Sequence, residues 1–300
     1  MNTILYLELY LSHLTPSLRI SADSSFSISR CSFIGLSSNS NGYAIYISQT
    51  NSDAAISDCA FVSNRCSTNS EGSIFLESKS SKISCTLFYN CSSITVPTTS
   101  IYCSTLSQHN YSSFLNNRAS QIYGSYYNNG DYLTHLNFSN CYSPRVSAFR
   151  TSGETLPSYI YYLNVVSSSG GEDCVHITRS TMDYCNILKS SYSYTYGTIR
   201  LAYNDCVLSN ICFFENSGNG YVSSTGCVAS VTKFYTDGQK SEFSYFNFGA
   251  NCYFSLSTKT SFMFDYEICI LMKNNPLFYS FSTKRNTLNS IIVISLFYEF

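Results

Sequence analysis

Glu172 and Asp173 are adjacent carboxylates in the segment Gly170-Gly171-Glu172-Asp173-Cys174-Val175, with His176 and Arg179 close behind. Paired carboxyl groups are what glycoside hydrolysis uses. One protonates the leaving oxygen while the other activates a water on the opposite face of the sugar, so both must share a face with room for that water. Successive side chains of a strand alternate between faces, so Asp173 and His176, though close in sequence, need not converge. An exposed turn is therefore the favoured reading of the pair, and Glu172 and Asp173 stand only as weak catalytic candidates.

No other reactive constellation is visible. The four histidines, His13, His109, His135 and His176, share no repeat position, and no Ser-His-Asp arrangement, G-x-S-x-G elbow or phosphate-cradling glycine loop occurs. The 14 cysteines include no C-x-x-C and no zinc-finger spacing, and the 18 acids form no calcium loop. No metal or other cofactor is expected. With 17 Lys+Arg and a net charge of −1 there is no basic stripe to hold phosphates, which argues against nucleic acid.

The elements that would position any site follow from composition and period. Only 12% of the 300 residues are charged and 16% are aromatic, with 27 Tyr, 21 Phe and no Trp. Aromatic and β-branched residues suit a pleated, half-buried surface, so an all-β chain is expected. Short apolar segments recur around Phe33, Phe61, Leu87, Phe114, Phe138, Val165, Ile187 and Phe213, at steps of 28, 26, 27, 24, 27, 22 and 26 residues. A second class keeps step with them: Ala44-Ile45-Tyr46-Ile47, Ser73-Ile74-Phe75-Leu76, Ser100-Ile101-Tyr102-Cys103, Gln121-Ile122-Tyr123, Val175-His176-Ile177 and Thr198-Ile199-Arg200-Leu201. Strands this short bury a core only by stacking coil on coil, each rung bonded to the next about 4.8 Å away. The expected fold is a right-handed parallel β-helix, a solenoid of about eight to nine rungs of roughly 26 residues. The Leu-x-x-Leu-x-Leu frame of a leucine-rich repeat is absent, and a β-sandwich array would not hold so constant a period. Cys31, Cys59, Cys85 and Cys185 lie two residues before their anchors, and Asn64, Asn90, Asn117 and Asn216 three after theirs. Both sets are expected to stack as structural ladders, the amides capping turns and the cysteines acting as small apolar side chains, mostly as thiols.

Phe61-Val62-Ser63-Asn64, Phe114-Leu115-Asn116-Asn117 and Phe213-Phe214-Glu215-Asn216 resemble the F-x-x-N half of the repeats in polymorphic outer-membrane-type β-helix proteins. Asn41-Gly42-Tyr43-Ala44-Ile45, Glu71-Gly72-Ser73-Ile74 and Tyr196-Gly197-Thr198-Ile199 approximate its G-G-[AS]-[ILV] half without the doubled glycine. The Cys-, Tyr- and Asn-rich texture is similar to that of protist β-helix surface proteins. Over roughly residues 26 to 258 the resemblance implies a pectate-lyase-like (pectin lyase-like) fold and a surface or adhesive role. Gly170 to Val175 also resembles the G-D-D-C-[IV] segment of polygalacturonases, but the N-T-D, G-H-G and R-I-K elements of those enzymes are missing.

The chain divides into an N-terminal apolar cap or leader (1–22), a repeat domain (23–258) and an irregular C-terminal appendage (259–300). Glu8 interrupts the apolar start and no basic residues precede it, a poor signal peptide. The apolar run Ile291 to Phe297 falls well short of the roughly twenty residues of a spanning helix. Sequons begin at Asn90, Asn110 and Asn137, and Tyr192, Tyr194 and Tyr196 offer amphipathic contacts. The expected function is a non-enzymatic scaffold presenting a binding face to a protein or glycan at the cell surface. The alternatives are a polysaccharide hydrolase or lyase with Asp173 first in suspicion, and a truncated paralogue without function.

Overall fold

The computed structural model describes residues 25–236, apart from 40–41, 67–71, 95–96, 121–125, 130, 153–156, 193–196, 203–204 and 219. It also describes the backbone of the strands Leu5–Glu8, Leu18–Ile20, Tyr245–Asn247 and Phe254–Ser257. Among the described residues every regular element is a strand, and the strand pairings are parallel. Twenty-two strands link into one continuous sheet. Seven two-residue strands, from Ser37–Ser38 to Ser191–Tyr192, form a second. The chain is a parallel β-solenoid of about seven turns, each close to 26 residues.

One register runs through the whole stack. Phe33 pairs with Phe61, Phe61 with Phe88, Phe88 with Phe114, Phe114 with Phe138, and the column continues through Val165, Ile187 and Phe213. These side chains are fully buried, and the first five rings lie face to face at 5.0, 4.7, 4.6 and 4.6 Å with interplanar angles of 8° or less. A second interior column contains Ile45, Ile74, Tyr126, Phe149, Val175, Ile199 and Val222. Each turn thus contributes a few apolar side chains to one continuous core, and no turn could bury them alone.

Two corners bracket each three-residue strand of the phenylalanine column, and both use left-handed backbone. Three residues before the column stand Arg30, Asp58, Cys85, Tyr111, His135, Tyr162, Tyr184 and Asn210, with φ between 50° and 57°. Two residues after it stand Gly35, Ser63, Asn90, Asn116, Asn140, Ser167, Lys189 and Glu215, with φ between 50° and 66°. A single left-handed residue turns the chain sharply while leaving the next strand in register, so the coil closes in few residues.

The third repeat departs from the expected frame. Phe88, not Leu87, occupies the column; Leu87 pairs with Ala60 and Ser113 and is half-buried on the outer face. Because strand side chains alternate, that slip of one residue moves its companions as well. Cys85 leaves the cysteine ladder for a left-handed corner and Asn90 leaves the asparagine ladder for the other, where it is exposed. The inward position two before the column reads Cys31, Cys59, Thr86, Ser112, Leu136, Leu163, Cys185 and Ile211.

The remaining asparagines cap as expected, though their partners are backbone groups of the preceding turn. Asn64 Oδ1 accepts from Leu36 N at 2.9 Å and its Nδ2 donates to Phe33 O at 3.0 Å. Asn117 repeats this with Cys91 N (2.8 Å) and Phe88 O (3.2 Å). Asn216 does so with Ser190 N (2.8 Å) and Ile187 O (2.6 Å). The expected strand at Gln121-Ile122-Tyr123 lies outside the described residues; Tyr126–Asn128 pairs with Thr99–Ile101 in that turn. At the start, Leu5–Glu8 pairs with Phe26–Ser29 and Leu18–Ile20 with Ile45–Ile47. The expected appendage 259–300 lies outside the described residues.

Candidate functional site

Asp173–Ile177 is a strand whose entry is irregular. Glu172 N and Asp173 N both donate to Arg145 O (3.1 and 3.0 Å), and Cys174 N and Val175 N both donate to Thr198 O (3.1 Å each). Two amides on one carbonyl, with the register shift between Val146 and Phe149, are the signature of a β-bulge. Cys174 and Val175 are both sealed in the interior as a result. The bulge cancels the strict alternation on which the sequence argument relied, and Asp173 Oδ2 comes within 4.0 Å of His176 Nδ1.

The two candidate carboxylates occupy different surroundings. Glu172 is half-buried and paired with Arg145 (Nε to Oε1, 3.0 Å) and Arg200 (3.7 Å). Asp173 is fully buried, and among the described residues neither of its carboxylate oxygens has a hydrogen-bond partner. Burial pushes its pKa well above the usual carboxylate range, raised further by Glu172 and opposed by Arg200, Arg150 and Arg145. His176 stands in register between Arg150 and Arg200 on adjacent turns, and burial together with those two cations lowers its pKa to about 3. Arg150 also lies over the Tyr127 ring at 5.7 Å. This is a compact ionic cluster, but it lacks what hydrolysis asks of it: one carboxylate is held by arginines and the other is shut away from any water it would activate. Arg179 is exposed on the turn beyond. Among the described residues, no three His, Cys, Asp or Glu side chains converge as a metal set.

Aromatic side chains build a second site on the outside of the rod. Tyr111, His135, Tyr162 and Tyr184 occupy the same left-handed corner in four consecutive turns and stack at 4.6, 4.7 and 5.5 Å with interplanar angles of 16–23°. The three tyrosines are 41%, 47% and 44% exposed. On the strand beside this corner Tyr132 stacks on Tyr159 at 5.1 Å, and Tyr132 is itself 47% exposed. The stacking presents ring edges and phenolic hydroxyls outward at the rung repeat. Tyr192, expected on the surface, is instead interior, its hydroxyl bonded to Gly220. Tyr194 and Tyr196 lie outside the described residues. Sequence reasoning missed the exposed ladder because it rests on the −3 corner, whose residue types vary too much to register as a repeat. Its one signal was the recurrence of Asn, Asp or Tyr just before the inward position.

Of the sequons, Asn90 is exposed on its corner, whereas Asn110 and Asn137 sit half-buried within the sheet. Among the described residues, no helix is long and apolar enough to cross a membrane. Comparison of the chain with family models, curated proteins and solved structures finds no match.

Proposed function

We propose that this solenoid is a non-enzymatic scaffold at a cell surface whose exposed aromatic corner binds a protein or glycan partner. The observation that carries the reading is the conformational cost of that corner. Bulky residues at positive φ are outliers that cost on the order of 1 kcal/mol each, and such strain concentrates at functional positions. Asn or Gly would occupy the corner at less cost, as Asn90 and Gly35 do at the other corner. Four aromatic rings are held there in consecutive turns, and mutual stacking at about 0.5–1.5 kcal/mol per pair offsets the strain without explaining why the rings face solvent. Asn90, the exposed sequon, supports the surface placement.

The test replaces Tyr111, Tyr162 and Tyr184 together by Asn, which suits a left-handed corner and leaves the interior untouched. Labelled wild-type and triple-variant chains are applied to intact source cells and to a glycan array. The expected outcome is an unchanged or slightly raised thermal midpoint with at least tenfold weaker binding. Equal binding by the variant would remove the corner from consideration, and cleavage of an acidic polysaccharide lost in Asp173→Asn would return the hydrolase reading.

A further inference from the structure

Two pairs of cysteines meet across neighbouring turns, one near each end of the described solenoid. Cys31 and Cys59 hold the inward position before the phenylalanine column in consecutive turns. Ser32 pairs with Ala60, and Ala60 N donates to Cys31 O at 2.9 Å. Both side chains are 2% exposed, and each sulfur donates to the equivalent carbonyl of its own turn: Cys31 Sγ to Ser29 O at 3.2 Å and Cys59 Sγ to Ser57 O at 3.1 Å. The two sulfurs therefore point the same way, one rung apart, within hydrogen-bond reach of each other. At the far end Cys206 N donates to Val228 O at 2.9 Å and Cys206 pairs with Ala229, two residues beyond Cys227. Both thiols are buried and bonded to one another. All four are thiols in this structure. Cys185, by contrast, stands between Leu163 and Ile211 in its ladder, with no cysteine in register on either side.

Cys212 is already disulfide-bonded in this structure, and we propose that Cys31–Cys59 and Cys206–Cys227 are two further disulfide sites, closed while the chain folds in an oxidising compartment. For Cys31 and Cys59, opposite one another on adjacent rungs, the spacing of about 4.8 Å lies inside the Cα separation of roughly 4.4–6.8 Å that a bridge tolerates. Cys227 lies two residues out of register with Cys206 and meets it through the side chains. The oxidant is a disulfide: an oxidised dithiol oxidoreductase or oxidised glutathione. One cysteine thiolate attacks it and expels one of its sulfurs as a thiolate, and the partner cysteine then attacks the mixed disulfide and expels the other. Each closure makes one S–S bond in the chain and breaks two S–H bonds, and the reduced oxidant takes up both electrons and, as thiols, both protons. Closure belongs to folding because the finished rod seals the sulfurs from solvent. Burial also pushes the Cys59 thiol up to about 12, so little thiolate exists at neutral pH. Each bridge would rivet a turn near the end of the stack, where fewer neighbouring turns hold it in place.

The full chain is refolded from denaturant with oxidised and reduced glutathione, and in parallel with excess reductant. Each product is alkylated and digested, and the linked peptides are mapped by mass spectrometry. The expected result is both links in the first product and neither in the second, with the thermal midpoint of the first higher by about 5 °C or more. Oxidised glutathione added to the already folded reduced chain should give no link over the same time. The variant Cys31→Val/Cys59→Val, which keeps small apolar side chains in the core, should lose one link and retain the other. Full alkylation of Cys31, Cys59, Cys206 and Cys227 after oxidative refolding, or links that join these four to other cysteines, would overturn the proposal. Ready bridging of the folded chain would overturn its timing.

Discussion

His109 is fully buried between turns, with Nδ1 3.1 Å from Tyr126 Oη and Nε2 3.4 Å from Thr86 Oγ1. Asn128 Nδ2 donates to Tyr126 Oη at 2.8 Å, so the tyrosine hydroxyl spends its own proton on Nδ1, and Nε2 carries the imidazole hydrogen toward Thr86. Among the described residues no acid faces the ring, and burial lowers its pKa to about 3. In the unfolded chain the same group titrates near 6.5. The stability it contributes is therefore whole above pH 6.5 and drains away as pH falls toward 3, because only the unfolded state takes up the proton. The slope is about 1.4 kcal/mol per pH unit. His176 shifts the same way, but Asp173 beside it shifts upward, so the folded state gains a proton there while forgoing one at the histidine, and the two contributions oppose. His135 shifts downward too, so chemical denaturation between pH 7 and 4 should lose stability with somewhat more than one histidine's slope, and His109→Gln should reduce it by about one histidine's share. A slope unchanged in that variant would mean that other groups carry it.

At the scale of one strand, the third repeat shows what a pattern discloses and what it hides. The column was plainest where a single apolar residue stood between polar ones, as Phe138 does within Asn137-Phe138-Ser139. In Phe61-Val62, Ile187-Leu188 and Phe213-Phe214 the first of two apolar residues is the inward one. Leu87-Phe88 offers two adjacent apolar residues, and choosing the first exchanged inside for outside across the turn. The left-handed corner would have decided between them: with Phe88 inward, Cys85 and Asn90 fall on the same two corners as in the neighbouring turns. The β-bulge at Cys174 was hidden for a different reason. It depends on two amides sharing Thr198 O one turn later, a long-range hydrogen-bond choice that local alternation does not encode. Phe88→Ala should cost about 3–5 kcal/mol and Leu87→Ala about 1 kcal/mol. Asn117→Ala, which strands the Cys91 amide, should cost about 2–4 kcal/mol, while Asn90→Gly stays within about 0.5 kcal/mol. Urea denaturation of the four variants measures these contrasts, and equal costs at Leu87 and Phe88 would restore the slipped register.

The whole molecule is a stack in which each turn touches its neighbours and little else, so stability is set by turn-to-turn contacts rather than by one closed core. The fivefold phenylalanine column and the Asn64 and Asn117 caps fall in its first half; the ionic cluster and the smaller Val165 and Ile187 fall further along. Hydrogen exchange should therefore be slowest between Phe61 and Phe138 and faster toward both ends of the rod. Uniform protection along the chain would indicate a single cooperative unit instead. The period itself was readable because every turn repeats the same demand for an inward apolar residue, whereas the exposed ladder answers to no such demand and left no comparable trace.

The column of rings has an optical consequence. Five phenylalanines stacked in parallel planes couple their electronic transitions, as do the stacked rings of the outer corner, and with no tryptophan the near-ultraviolet spectrum is that of phenylalanine and tyrosine alone. Near-ultraviolet dichroism of this protein is thus sensitive to the stacking of its rungs. A turn that loosens breaks the coupling at its own level and dims the signal there, so the rod carries its strain gauge in its core.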